Sequence, residues 1–266
     1  MDVYLLKLTV TPLLMGLVSL IGRRWGSLVG GIAAGMPLTS GPISLYLALE
    51  QGPAFADEAA AGALIGIGAV MASYTAYVGA SRLLPVGGST LAALGAYGLA
   101  AYAMFRTGSE AGSILVCLLS FLAIVLTQPG QASVPSARAR PAWDLPARMV
   151  VSTVLVLAVT GCAARLGPTL SGLVSPVPVI AWPLMLFAHL QGGRPEALAT
   201  IRGTAAGSCG IIVFNLVVAR GLARGGIPVT YAIAFGLSCL VSAAIGLLIS
   251  HGVRSDRKAS PGGNEQ

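Results

Sequence analysis

Long, continuous apolar stretches alternate with short polar punctuation along nearly the whole chain. About 20 apolar residues cross a bilayer. On that measure, candidate spans lie at 3–21, 27–49, 59–81, 89–105, 111–127, 149–164, 170–190, 203–219 and 227–250. A membrane β-barrel would instead show alternation over about ten residues at a time, and these runs do not alternate. The pattern predicts an all-α, polytopic membrane protein of about nine transmembrane helices. Residues 1–127 would form an N-terminal unit of five spans, 128–148 a polar cytoplasmic linker, 149–252 a C-terminal unit of four spans, and 253–266 a disordered cytoplasmic tail. The first span lacks a small-residue cleavage site and is expected to be retained rather than removed as a signal peptide.

The second run, "GMPLTSGPISLYLALEQG" at 35–52, is apolar enough to span yet carries two prolines and three glycines. An interior proline removes a helix hydrogen bond and crowds the preceding turn. The interruption has a counterpart 141 residues on. Aligned at that offset, Gly26, Gly31, Pro37, Pro42, Gly52, Gly62 and Gly66 meet Gly167, Gly172, Pro178, Pro183, Gly193, Gly203 and Gly207 over 26–66 and 167–207, without a gap. Such self-similarity is the signature of an internal duplication. The second span matches the seventh, an odd separation, so equivalent helices would cross in opposite directions. The expectation is a pair of inverted-topology repeats with Pro/Gly-broken helices, an arrangement that recurs among secondary transporters.

Composition narrows the solvent and the orientation. Of 266 residues, 55% are hydrophobic and 9% charged, against about 25% charged in an ordinary soluble domain. The net charge of +7 is accounted for by basic loops, and no nucleic-acid partner is expected. With the N-terminus outside, the cytoplasmic side receives Arg23, Arg24, Arg82, Arg138, Arg140, Arg148, Arg194, Arg202, Arg254, Arg257 and Lys258. The outside receives Lys7, Arg106, Arg165, Arg220 and Arg224. That asymmetry favours N-out, C-in. Cys117, Cys162, Cys209 and Cys239 all lie in apolar runs without metal-ligand spacing, so no metal or disulfide is expected. No cofactor motif is present.

Candidate chemistry gathers at the interruptions. Thr39, Ser40, Ser44 and Tyr46 flank the first break, and Ser175 and Trp182 the second. Hydroxyls beside opened backbone can ligate a polar solute, and an indole can gate or stack. Each hydroxyl could equally bond back to its own preceding turn, and Trp182 could simply pack. Ionisable residues inside a membrane are functional candidates by default. Glu50 and His189 are proton-coupling candidates, although a place near a helix end also allows a solvated reading. Arg202 opens the eighth span as an anion-attracting candidate or a topology marker. The segment "GSCG" at 207–210 reads as a small-residue packing face. No P-loop, HExxH or GxSxG pattern occurs, so no enzyme is expected.

The stretch "LSGLVSPVPVIAWPLMLFAHLQGGRPEALATIRGTAAGSCGIIVFNLVV" resembles the GlpM family of small four-span inner-membrane proteins. The likeness rests on a Gly-Leu and Pro-rich run, a short polar loop and a following helix opened by Arg202 and small residues. It implies an inner-membrane location and carries over no substrate and no catalytic residue. Together these features point to a secondary transporter or permease, an exporter among the options, for a small organic anion, a neutral metabolite or a lipid-like solute. The alternative is a non-transporting accessory or assembly protein of the inner membrane. Membrane lipids are the expected surroundings, and the glycine-rich faces are compatible with a homodimer.

Overall fold

A computed structural model describes residues 3–38, 41, 44–45, 48–49, 52–127, 141–158 and 178–259. Among the described residues the regular structure is α-helical, with no strand. Helix α1 spans Val3–Trp25 and α2 Ser27–Gly35. They are followed by α3 (Pro53–Ala80), α4 (Val86–Thr107), α5 (Glu110–Leu126) and α6 over 144–158. The α4–α5 turn follows directly from local chemistry. Gly108 closes α4 in the left-handed region (φ 58°), and Ser109 caps α5 by accepting the Gly112 N–H at 3.0 Å. Such a cap satisfies one of the four free donors of a helix start.

The remaining helical run, Ala181–Ala259, is broken at Gly193 (φ 75°, ψ −173°) and Gly226 (φ 67°, ψ 170°). Only glycine takes that backbone region without strain. The breaks give α7 (181–192), α8 (194–225) and α9 (227–259). They are a geometric necessity. The apolar part, Ala181–Ile249, has 69 residues, and unbroken it would extend roughly 100 Å at 1.5 Å per residue, several times a hydrocarbon core of about 30 Å. That run, Pro53–Ala80 and Val86–Thr107 are each long and apolar enough to cross a membrane. Large apolar side chains also face outward along several helices, among them Leu91, Leu99, Leu240 and Leu248. Soluble monomers rarely expose apolar surface so extensively. The architecture is therefore all-α and consistent with a membrane-spanning protein.

Two boundaries differ from the sequence expectation. Helix begins at 144, inside the stretch read as a linker, and the last helix runs to Ala259, inside the expected tail. In the first case the reason is burial of Asp144 and Arg148, which stabilises that turn.

The tightest packing joins α2 to α8. Gly31 lies against Thr200 and Thr204, and Gly35 against Thr204, Gly207 and Ser208. The residue numbers rise together, so the two helices run parallel. Each contributes a small-xxx-small face, Gly31/Gly35 and Gly203/Gly207, the arrangement that lets bare backbones approach in lipid. Gly210 meets Ser238 and Ser242 of α9, so the 207–210 face packs on both sides. Ser113 of α5 ties that helix to α3, donating to the Ile65 carbonyl at 2.7 Å and accepting from the Gly68 N–H at 2.9 Å. The central core, built from α3, α4, α5, α7 and α8, holds Met71, Tyr74, Tyr77, Tyr97, Trp182 and Leu198.

Candidate functional site

Helix α2 ends at Gly35, and Met36 turns extended (φ −78°, ψ 159°) before helix resumes by Gly41, whose N–H donates to the Pro37 carbonyl at 2.9 Å. Residues 178–180, of which Val179 and Ile180 pack in one apolar cluster with Ala33 and Leu38, are likewise non-helical, and helix resumes where the Trp182 N–H donates to the Pro178 carbonyl at 3.0 Å. The two bonds stand 141 residues apart. In the first stretch 36–38 are non-helical and Thr39 and Ser40 lie outside the described residues; in the second, the non-helical residues include Ile180. Pro183 falls in the first turn of α7, where its missing N–H is no loss and its fixed φ favours starting a helix. A second pair follows at the same offset. Gly52 (φ 90°, ψ 168°) and Gly193 (φ 75°, ψ −173°) share one unusual conformation, each immediately before a proline-containing first turn, with Pro53 and Pro195.

Of the candidate residues, Thr39, Ser40, Tyr46, Glu50 and Ser175 lie outside the described residues. The others are not brought to one place. Ser44 Oγ shares a 2.7 Å hydrogen bond with the Tyr231 hydroxyl, beside the aromatic group of Phe214 and Phe235. Trp182 sits edge-on to Tyr97, with ring centroids 5.9 Å apart. It borders a cavity of about 380 Å³ whose other walls include Thr90, Ala93, Val150, Val154 and Met185. Its indole Nε1 is buried without a hydrogen-bond partner. His189 Nδ1 lies 2.7 Å from the Tyr77 hydroxyl, a pairing that joins this candidate to a tyrosine of α3. Arg202 is only 4% exposed; its Nε is buried and unpartnered, and no carboxylate pairs with it among the described residues.

The most elaborate polar site is one that the linker reading left aside. Asp144 is 0% exposed and Arg148 1% exposed. Arg148 Nε donates to Asp144 Oδ1 at 2.7 Å, Gln191 Nε2 donates to the same oxygen, and Arg23 donates to Oδ2 at 2.8 Å. Arg148 also donates to Gln191 Oε1 at 3.2 Å, and its guanidinium lies 5.2 Å from the centre of the Phe187 ring. Burial by itself would raise the Asp144 pKa. The hydrogen bonds and charge of Arg148, with Gln191 and Arg23, outweigh it and hold the carboxyl below its ordinary value. The signal in the sequence was the i, i+4 spacing of Asp144 and Arg148, acid first, which favours a helical ion pair.

The polar contacts sort to two ends. Arg23, Asp144, Arg148 and Gln191 meet in one network, and Arg194 Nε donates to Ser81 Oγ at 3.1 Å. Elsewhere, Glu110 and Arg220 form a pair at 3.6 Å. Compared with known proteins, the chain matches no family model, no curated protein and no solved structure.

Proposed function

We propose that the chain is a secondary transporter or permease of the inner membrane, moving a small organic anion by alternating access of two inverted-topology repeats. The observation that carries this reading is the paired interruption. Helix starts through equivalent hydrogen bonds at Pro37–Gly41 and Pro178–Trp182, and Gly52 and Gly193 take matching backbone conformations before the next helix of each half. Broken helices in corresponding positions of two halves mark transporter binding sites, because the opened backbone can ligate a solute near the midplane.

Three further features support it. Residues that the basic-loop pattern assigns to the cytoplasm, Arg23, Arg148 and Arg194, pair with neighbours assigned to the same side, and Glu110–Arg220 does so on the other. Such sorting fits nine spans with the N-terminus outside. Parallel packing of α2 on α8 fits the same count. Arg202 favours an anion, since a buried charge without a partner costs several kcal/mol and a solute carboxylate or phosphate would supply the missing charge. The inner-membrane location rests on the resemblance to the GlpM family.

The test is flux in liposomes containing the purified protein, with panels of dicarboxylates and sugar phosphates. Saturable anion uptake is expected, lost in Arg202→Gln and in Ser40→Leu at unchanged insertion. Correctly folded protein that moves none of these solutes would leave the accessory role standing and remove this one.

A further inference from the structure

The cavity of about 380 Å³ beside Trp182 is open on one side. Its floor is buried, with Ala93 from α4 and Trp182 and Met185 from α7. Its rim is exposed. Val150, Val154 and Ala158 follow one another at four-residue steps along α6, a stripe about 12 Å long at 1.5 Å per residue. On α4, Leu91 and Leu94, next to the wall residues Thr90 and Ala93, also face outward. The cavity therefore opens sideways, onto the apolar surface that a bilayer covers. Its wall is almost entirely carbon. Thr90 spends its hydroxyl proton on the Val86 carbonyl at 2.8 Å, and the Trp182 Nε1 is itself buried, which leaves indole carbons to line the space.

We propose that this cavity holds one acyl chain of a bilayer phospholipid. Its size is that of a binding site, since small-molecule sites run from about 300 to 1,000 Å³. Its walls reject a polar occupant: they carry no charge, and their one hydroxyl is already committed. Apolar cavities of this kind stay dry and take up apolar molecules, and left empty the floor would forfeit its dispersion contacts on that side. The side opening then selects the source, because the medium against an apolar helix face in a membrane is lipid hydrocarbon. Position agrees with a chain. Val150 stands six residues beyond Asp144, and Leu186 five before Gln191, so the cavity starts within about 10 Å of that polar network at 1.5 Å per residue. From there the rim runs into the apolar layer, as an acyl chain runs from its headgroup. A chain seated there would bridge α4, α6 and α7. This site stands apart from the transport reading, and occupancy is expected even in a protein that moves nothing.

The experiment uses Trp182 as the reporter. Of the three tryptophans, Trp25 and Trp143 are exposed, and the full chain carrying Trp25→Phe and Trp143→Phe keeps Trp182 as its one indole. It is reconstituted into vesicles of plain phospholipid mixed with the same lipid brominated along its acyl chains, bromine being a short-range quencher. Trp182 fluorescence should fall linearly with the brominated fraction, the mark of a single exchangeable chain. Ala158→Phe, which places a ring at the rim, should remove most of that quenching, and Val154→Phe serves in its place if Ala158→Phe fails to insert. Ala244→Phe, exposed on α9 and outside the cavity walls, should leave quenching as it was. Equal fluorescence in plain and brominated bilayers would overturn the proposal. So would a steeper, many-site fall, which is contact with bulk lipid alone, or quenching undiminished in the filled variant. Brominated free fatty acid that quenches at a far lower fraction than the phospholipid would also overturn it, by making the free acid the occupant.

Discussion

Replacing Gly203 by alanine tests the α2–α8 contact with one carbon atom. The new Cβ would stand 2.0 Å from the Leu28 carbonyl oxygen, 2.8 Å from Ile32 N and 3.0 Å from Gly31 C. Each of these atoms is backbone, so no side chain can swing aside, and the closest approach must open by more than 1 Å to reach ordinary contact at 3.4 Å. Overpacking of this kind costs about 1–3 kcal/mol. A gap approaching 1 Å also forfeits a quarter to a half of each dispersion contact along the seam. Against this stands the helix preference for alanine over glycine, about 1 kcal/mol. Overpacking less the propensity gain leaves about 0–2 kcal/mol, and the dispersion lost along the seam adds to it, so the clash wins. Gly98 and Gly236 are also helical, but nothing lies within 4 Å of a Cβ built on either. Gly98→Ala and Gly236→Ala keep the propensity gain without the clash and should be neutral or mildly stabilising. Thermal unfolding of the purified protein, followed by tryptophan fluorescence, should therefore show a drop of several degrees for Gly203→Ala and none for the controls. If Gly203→Ala melts with Gly98→Ala, the parallel backbone contact between α2 and α8 is wrong.

The Asp144 network predicts a pH dependence. Because the folded carboxyl titrates below its ordinary value, near 3.9 in an unfolded chain, its stabilisation is complete above about pH 4 and lost as pH falls towards the folded value. Asp144→Asn should cost about 3–5 kcal/mol by stranding Arg148 and flatten that acid limb in melting curves; an unaltered limb would place the network elsewhere. Tyr77→Phe should destabilise by about 1 kcal/mol through loss of the bond to His189. If the pair relays protons, the pH profile of transport should shift in Tyr77→Phe and vanish in His189→Ala, and unchanged profiles in both would assign them to packing alone. Single cysteines at Asp57 and Glu196, in a cysteine-free background, should label from opposite sides of the membrane, and labelling from the same side would end the inverted-repeat reading.

Much of the backbone plan could be read from the chain because its causes are local. Gly108-Ser109 ends one helix and caps the next through their own side chains and φ preferences. Gly52, Gly193 and Gly226 occupy conformations other residues avoid, each just before a proline-containing first turn, so their chain positions already announce three helix boundaries. Apolar runs of sufficient length declare helices because a bilayer leaves backbone polar groups no other partner. The non-helical residues at Pro37 and Pro178 follow from the same covalent constraints. Partnership is another matter. Gly203 and Gly207 were visible as matches to Gly62 and Gly66, yet only packing sets them against Leu28, Ile32 and Gly35 of α2. Asp144 and Arg148 sat in a stretch whose composition reads as solvated linker. Their burial depends on Arg23, 121 residues away in sequence from Asp144, and Gln191, 43 from Arg148, arriving at the same point. Charge and hydroxyl positions are written along the chain, but whether a charge meets water, a partner or an empty space is decided by which helices close around it, and that is a property of the tertiary structure alone.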